Sequence, residues 1–270
     1  MLNRNKLDMF GSLFDTKAAK ILNKLQQNTK IHHIEVIGSA SSSLEISYEE
    51  GFVKHSEKYF SEGIGIRVVD QNGKEGLTYT SDFSPKAFEM CMRNAEKMMK
   101  IATPNEDFKD IATPSKHYKE VKRIYDQKVE NITFDLINEY FDPIFNLKNQ
   151  KVVPKGLSGD FSASIGTFMI KNSNDIDVHE TYSNAHLSSN VSLMRDGNSS
   201  NGYDWKTSLM LKDIKPEKVA ETSYDLALRS LNKTGIETGK YPIILHPRAT
   251  SKFLASPIVS GINAELIQNN

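Results

Sequence analysis

Two groups of histidines are the side chains in this sequence best suited to bind a metal ion. His179 and Glu180 lie shortly before His186. The residues between them favour a strand and a turn, and on a strand His179 and His186 point to opposite faces. His32 and His33 adjoin a strand pattern, where neighbouring side chains are also expected on opposite faces. We therefore favour solvated or hydrogen-bonding histidines over a metal site in both places.

Arg67 is a candidate anion-binding residue, because a guanidinium can bind a carboxylate or phosphate through two parallel hydrogen bonds. Within an alternating strand an arginine more often pairs with a carboxylate across the sheet, and we favour that structural role. Gly63 and Gly65 precede Arg67, but they do not form a nucleotide-binding motif, because the third glycine is missing and no helix follows directly. Cys91 is the only cysteine; it has no matched histidine and acid, so we interpret it as a packing residue.

The segment 196–205 combines the only tryptophan with glycine, asparagine and carboxylates. It is the stretch best suited to a functional loop, although an exposed hairpin connection explains the same composition. Tyr203 and Trp205 are its candidate ligand contacts. Elsewhere no pair of carboxylates and no Ser/His/Asp set stands out by its spacing, so the residues identify no catalytic, cofactor-binding or metal-binding side chain.

Composition argues against several classes of partner. Lysine plus arginine and aspartate plus glutamate both total 34, so no net charge attracts nucleic acid or an anionic membrane. A single cysteine excludes an internal disulfide and suits a reducing compartment. The N-terminus has no signal-peptide core, and no apolar run is long enough to span a bilayer. We expect a cytoplasmic protein.

The first half of the chain predicts a helix, strands and a second helix. Apolar periodicity predicts a helix over about 15–27, followed by four strands ending near Ser81. Asn72-Gly73 predicts a type I′ hairpin turn, since both residues tolerate positive φ. Ser84-Pro85 has the pattern of an N-cap and first helical residue. Residues 102–128 show little periodicity and predict a surface connection.

The second half repeats this order. A helix is predicted to start at 131–134, short strands between 156 and 211 with a turn at 172–175, and a helix from Pro216. Within that strand region, 177–182 and 185–194 are expected to be separate strands, and 241–245 a further compact strand. The pattern predicts an α+β fold in which antiparallel sheets pack with helices in a sheet-plus-helix arrangement that occurs twice. It leaves open whether the chain is internally duplicated.

The strand and turn of residues 62–76, with the strands before it and the helix after it, resemble the start of the TldD/PmbA family. Members were once described as modulators of DNA gyrase and are now regarded as metallopeptidase subunits. Residues 235–245 are similar to the passage that leads into the family's C-terminal domain. The resemblance implies an N-terminal α+β domain over 1–235 and the start of a β-rich domain over 236–270, which we expect to be truncated.

The metal motif of the family is missing from this sequence. In TldD-type subunits a His-Glu-x-x-x-His motif follows the passage; its histidines bind zinc and its glutamate can act as general base. Here His246-Pro247-Arg248-Ala249 stands in that place, with one histidine and no glutamate at a useful spacing. Pro247 and Ala249 are more similar to the metal-free PmbA type, also called TldE. The resemblance thus implies no cofactor in this chain and zinc in a TldD-type partner.

The resemblance implies a subunit of a zinc-dependent peptidase complex that hydrolyses small or unfolded peptides. Its partner would be a TldD-type subunit or a second copy of the chain. Apolar residues 258–267 predict a surface that awaits such a partner, and Arg67, Tyr203 and Trp205 are the candidate peptide contacts. The alternative is a non-catalytic binding or scaffold module, or the truncated remnant of a family member.

Overall fold

A computed structural model describes residues 2–231, 233–263 and 267. The chain divides into two compact units, Met1–Asn232 and Lys233–Asn270. In chain order the first unit consists of α1 (Arg4–Leu25), β1 (His33–Glu49), β2 (Phe52–Val69), β3 (Glu75–Thr80), α2 (Pro85–Ile101), α3 (Gln127–Glu130), α4 (Phe134–Phe145), β4 (Gly156–Asn172), β5 (Asp177–Arg195), β6 (Asn198–Ser208) and α5 (Pro216–Arg229). The second contains α6 (Pro247–Gly261).

The six strands of the first unit form one sheet in the order β3-β2-β1-β4-β5-β6. Every neighbouring pair is antiparallel. The two central strands, β1 and β4, pair from Glu35 with Asn172 to Glu49 with Ser158. A helix, three strands and a helix therefore occur twice along the chain, once on each side of the β1/β4 pair. The predicted α+β class and the repeated order of elements are confirmed.

The strands are longer and fewer than the sequence pattern predicts. Four strands were expected before Ser81, yet there are three, and β1 runs without interruption through the serines at 39–43. The segments expected at 177–182 and 185–194 likewise form the single strand β5. Serine-rich stretches look like turns in isolation, but here they have strand partners on both sides that satisfy their backbone groups.

Two hairpins have tight two-residue turns. Glu50 and Gly51 connect β1 to β2 with φ of 55° and 88°, and Asp196 and Gly197 connect β5 to β6 with φ of 51° and 78°. Positive φ at both central residues is the signature of the type I′ turn. The functional loop expected at 196–205 is therefore a two-residue turn followed by strand β6.

The type I′ turn predicted at Asn72-Gly73 is wrong. Gly73 has a φ of 71° and Asn72 does not have a positive φ. Residues 70–74 form a longer connection, in which the Oδ1 atom of Asp70 accepts hydrogen bonds from the backbone N–H of Asn72 at 2.8 Å and of Lys74 at 3.0 Å. The aspartate organises this loop, as short polar side chains often do in turns.

The helices pack on one face of the sheet, where the core lies. The ring of Phe14 in α1 lies against Gly38 in β1, and the ring of Phe141 in α4 lies against Gly159 in β4. Side chains on this face are buried along the central strands, while most of those at alternate positions are half-buried or exposed; Ser43 and Ser188 are buried there too. We call the second surface the open face.

Helix starts follow local capping. The predicted cap is confirmed at Ser84, whose Oγ accepts a hydrogen bond from the N–H of Ala87 at 3.3 Å. The helix start predicted at 131–134 is confirmed as well, and Thr133 caps α4. The helix expected to begin near Asp15 instead begins at Arg4, after the side chain of Asn3 accepts a hydrogen bond from the N–H of Lys6 at 3.2 Å. Asparagine is a strong N-cap, so the local signal was present in the sequence.

The connection predicted over 102–128 is irregular from Ala102 to the start of α3, as expected. It passes the turns at one end of the sheet. The N–H of Asn105 donates to the carbonyl oxygen of Asn72 at 3.2 Å, and the side chain of Asn172 donates to the carbonyl oxygen of Ala112 at 2.8 Å. The connection is therefore anchored to the sheet by hydrogen bonds.

In the second unit, the strand expected at 241–245 is not formed. These residues lie in an irregular segment before α6, and Ile244 is 99 % exposed. None of the described strands pairs with this apolar run, and a β-strand needs a partner for its backbone groups. Of the apolar residues expected at 258–267, Leu266 lies outside the described residues. None of the helices described here combines the length and apolar character needed to cross a bilayer.

Candidate functional site

Polar side chains form a row across the open face, near the end of the sheet that carries the β1–β2 turn. Cross-strand pairing places Glu45 beside Ser162, Ser162 beside His186, and His186 beside Thr207. The next row contains Ser47, Asp160, Ser188 and Trp205. These residues come from four strands, of which β1 is far from the other three in the sequence. We call these eight residues the polar row.

Hydrogen bonds hold part of the polar row in place. Ser188 Oγ donates to Asp160 Oδ2 at 3.1 Å and accepts from the backbone N–H of Asp160 at 3.1 Å. The Nδ1 atom of His186 lies 2.8 Å from Thr207 Oγ1. The Ser188 hydroxyl thus hydrogen-bonds to a carboxylate and not to the imidazole. In a catalytic triad the serine bonds to the histidine, and the histidine bonds to the acid, so these side chains are not arranged as a triad.

The environment of His186 favours its neutral form. Burial lowers the pKa of His186, and the negative charge of Asp160 partly opposes that shift. A neutral imidazole beside a threonine hydroxyl offers both a donor and an acceptor. The polar row is therefore suited to hydrogen bonding with polar groups of a ligand.

Two aromatic side chains lie together on the edge strand β6, namely Trp205 of the polar row and its neighbour Tyr203. The rings of Tyr203 and Trp205 stack with centroids 5.3 Å apart and an interplanar angle of 29°. Trp205 pairs with Ser188 and Tyr203 with Asn190. Tyr203 is exposed and Trp205 half-buried. The two candidate contacts thus lie together on the open face, although on a strand instead of a flexible loop.

Arg67 lies far from these aromatic residues. It pairs with Glu35 at the other end of the sheet, and its Nη2 atom lies 2.9 Å from Glu75 Oε2. Its Nη1 atom lies 3.8 Å from Glu35 Oε1. Arg67 lies beside Glu35, and Trp205 lies in the same row as Ser47. Because Glu35 and Ser47 are twelve residues apart along β1, Arg67 and Trp205 are separated by about 40 Å along the strand direction, at ~3.4 Å per residue. The fold does not bring Arg67 together with Tyr203 and Trp205.

The histidines do not converge on a metal site. His179 pairs with Met169 and lies beside α1, on the face opposite His186, as the strand period predicts. Across the described ranges, His, Cys, Asp and Glu side chains form no group of three or more arranged to hold a metal ion. His246 is the N-cap of α6, where its Nδ1 accepts from the N–H of Arg248 at 3.3 Å.

His32 and His33 are arranged differently from the expectation. Their ring centroids are 4.7 Å apart, so the two side chains are not on opposite faces. His32 precedes the first residue of β1, and strand alternation does not apply to it. His33 is buried, and its Nε2 lies 3.5 Å from Asp110 Oδ1. Burial lowers the pKa of His33, so the side chain is neutral near neutral pH, and we assign it a structural role.

Cys91 is a packing residue in the helix layer. It is buried, and the hydroxyl of Thr78 donates to its carbonyl oxygen at 2.9 Å and lies 3.1 Å from its sulfur. Burial raises the pKa of the Cys91 thiol, so the reactive thiolate is disfavoured.

Sequence reasoning missed Asp160 and Ser188. The signal that could have found them is the alternation of polar residues along both strands, at Asp160, Ser162 and Ser164 and at His186, Ser188 and Asn190. Two polar alternations indicate two wet strand faces, but their register cannot be read from either strand alone.

Comparison with protein families gives two consecutive matches. Residues 34–99 match the first domain of the PmbA/TldA metallopeptidases, and residues 125–231 match the central domain of the same proteins. Together the two matches cover well over half of the chain. No curated protein matches the sequence significantly.

Three solved structures share the fold. A protein from Bacteroides thetaiotaomicron described as a modulator of DNA gyrase aligns with a TM-score of 0.79 and 18% identity, over 94% of this chain and 58% of its own. A modulator of DNA gyrase from Thermotoga maritima gives 0.72 and 14%, over 84% and 50%. TldE from Thermococcus kodakarensis gives 0.65 and 16%, over 77% and 46%. The chain thus spans about half the length of the structures it matches.

Proposed function

Because the chain belongs to the PmbA/TldD metallopeptidase family, we propose that it is a metal-free, PmbA-type subunit of a zinc-dependent peptidase complex acting on small or unfolded peptides. Its partner in this proposal is a TldD-type subunit that binds the zinc, or else a second copy of the chain. The single cysteine suits a reducing cytoplasm, where we place the complex.

The donor set at the start of α6 carries the metal-free assignment. A catalytic zinc site needs three protein ligands and an open position. The described segment 233–263 offers one histidine, His246, which already accepts a hydrogen bond from the backbone of its own helix. Glutamate is absent from α6, where the sequence runs from Pro247 to Gly261. These residues do not fit a zinc ion, so we assign no catalytic step through a metal to this chain.

The open face and the sheet edges support the peptide-binding part of the proposal. An extended peptide can add to an exposed edge strand through main-chain hydrogen bonds. β6 is an edge strand, and it carries Trp205 of the polar row and the neighbouring Tyr203. In this proposal the two aromatic side chains and the polar row contact the peptide. Arg67, paired with Glu35 and Glu75, would contact another part of it at the far end of the sheet.

The test is to purify the chain and measure its zinc content by mass spectrometry together with its cleavage of a fluorogenic, unstructured peptide mixture. We expect substoichiometric zinc and no cleavage. Addition of a co-purified TldD-type subunit should produce cleavage that chelation of zinc abolishes. Stoichiometric zinc and cleavage by the chain alone would overturn the proposal.

The alternative, a non-catalytic binding or scaffold module, is favoured by one observation. Apolar side chains of α6 are exposed to solvent, with Phe253 at 71 % and Val259 at 62 %. Such a surface suits association without chemistry. Isolation of the native protein from its source cells separates the two functions. A stoichiometric zinc-bearing partner with a His-Glu-x-x-x-His motif supports the peptidase subunit, and a lone metal-free chain supports the scaffold.

A further inference from the structure

Over most of its length the outer edge of β2 has no neighbouring strand among the described residues. β2 pairs with β1 from Phe52 to Val69, but with β3 only from Ile64 to Val69. Among the described residues no strand pairs with the outer side of 52–63. Every second residue of an antiparallel strand presents its N–H and C=O to a neighbour, so about six residues there have outward-facing backbone groups.

β3 ends where this free edge begins. Its last residue, Thr80, pairs with Ile64. The Thr80 hydroxyl then accepts a hydrogen bond from the N–H of Asp82 at 3.0 Å and donates to its carbonyl oxygen at 3.1 Å. This turn diverts the chain into α2. The line of β3 beyond Thr80 is left without a strand.

An apolar groove of about 540 Å³ lies beside the free edge, between α1 and β2. Its apolar walls are Met9, Phe10, Leu13 and Phe60, and Lys6 and Glu62 are among its polar residues. Met9 is 72 % exposed. Along β2, Phe60 and Glu62 have the same parity as Ile64, which faces the helices. A strand that continues the line of β3 would therefore direct every second side chain into this groove.

We propose that the free edge of β2 and this groove bind an extended, unfolded polypeptide segment with a large apolar side chain. The backbone of the segment pairs with residues 52–63, and its apolar side chain enters between Met9 and Phe60. This inference rests on the proposed function, and it assigns the peptide a second binding site in that subunit, separate from β6 and the polar row.

Two observations favour a peptide over a second copy of the chain. The edge is a strip about 40 Å long and ~5 Å wide, roughly 200 Å², whereas a stable dimer buries about 800 Å² per partner. In addition, a second copy could pair its own segment 52–62 with this edge in the antiparallel direction. With full overlap, the Glu57 residues of the two copies would face each other at the centre. That arrangement places two carboxylates directly opposite each other, which is destabilising.

The experiment measures binding by the isolated chain, with neither zinc nor partner. The probe is a fluorescein-labelled peptide of alternating serine and threonine with a central leucine, followed by fluorescence anisotropy. Matched peptides carry a central alanine, or N-methyl groups that block one edge of the strand. We expect the leucine peptide to bind at least about tenfold more tightly than the alanine peptide, because burial of leucine is favourable. The methylated peptide should not bind.

Variants and hydrogen exchange locate the site. Met9→Glu should weaken binding of the leucine peptide about tenfold, because a carboxylate would occupy the apolar groove. Met98→Glu, an exposed methionine in α2 outside the groove, should leave binding unchanged. The peptide should protect backbone amides within 52–63 from exchange.

Equal binding of the leucine and alanine peptides, no effect of Met9→Glu, or protection confined to β6 would overturn the inference. So would a dimer in sedimentation velocity that Met9→Glu dissociates, since the occupant would then be a second copy. None of these outcomes changes the zinc content or the activity of the reconstituted complex, so failure here is distinct from failure of the proposed function.

Discussion

Gly76 in β3 and Gly202 in β6 occupy equivalent positions on opposite edges of the sheet. A β-carbon at Gly76 would overlap the carbonyl oxygen of Ala95 in α2, and one at Gly202 would overlap the carbonyl oxygen of Ser223 in α5. In both halves, therefore, the last helix packs directly on the backbone of the outermost strand. The repeated order of elements is accompanied by a repeated packing contact.

Gly76→Ala and Gly202→Ala are each expected to lower the free energy of unfolding by about 1–3 kcal/mol, because helix backbone cannot shift as readily as a side chain. Gly65→Ala is the control, since its β-carbon would meet the nearest atom, the carbonyl oxygen of Thr78, at 3.7 Å. Urea denaturation measures all three. A Gly76→Ala protein as stable as the Gly65→Ala control would contradict the close-packing argument.

Asp126→Ala is expected to destabilise the fold by roughly 2 kcal/mol. The buried carboxylate accepts hydrogen bonds from the N–H of Lys128 and from the N–H of Leu211, both at 2.9 Å. Removal of the carboxylate leaves these donors without their acceptor, which costs about 1–3 kcal/mol when a donor is buried.

Asp8→Ala is the matched control for Asp126. Asp8 forms an exposed ion pair with Arg4 at 3.0 Å. Exposed pairs contribute about 0–1 kcal/mol. Thermal unfolding of both variants should show a clear difference, and a similar loss in the two would disprove a special role of Asp126.

Stability should fall with acidification because of His33. Burial lowers the pKa of His33 from its ordinary value of 6.5; Asp110 opposes this shift, while His32 and Arg67 reinforce it. Below about pH 6.5 the unfolded chain binds a proton that the folded chain does not, so the free energy of unfolding decreases as pH falls towards the folded-state pKa.

His33→Gln tests this pH dependence. The variant should lose less stability than the parent protein when urea midpoints at pH 7.5 and pH 5.5 are compared. The NMR signal that disappears in the variant should titrate below the ordinary range of histidine in the parent. An equal loss of stability in both proteins would show that other groups cause the acid sensitivity.

Ser84→Ala is expected to lower stability by about 1 kcal/mol, since Ser84 caps α2 by accepting a hydrogen bond from Ala87. Ser81→Ala, at an exposed serine before the helix, is the control and should change stability little. Circular dichroism during thermal unfolding measures both. A larger effect at Ser81 would show that the predicted cap is not the stabilising interaction.

Three helix starts, which depend on residues close together in the chain, were predicted well, although the local turn at Asn72-Gly73 was not. Ser84-Pro85, Thr133 and Pro216 start helices as expected, because a cap and the first helical turn lie within a few residues of each other. Strand lengths were predicted poorly. The serines of β1 are strand residues only because β2 and β4 pair with them from both sides.

The sequence by itself determined the repeated order of helix, strands and helix, the family resemblance and the single histidine in place of a metal motif, since each can be read along the chain. Only the tertiary structure decided which side chains meet. It brings Asp160 to Ser188 and places Arg67 about 40 Å from Trp205 along the strands, at ~3.4 Å per residue. The physical reason is strand register: a shift of one residue would move every side chain to the other face, and register is set by pairing between distant segments.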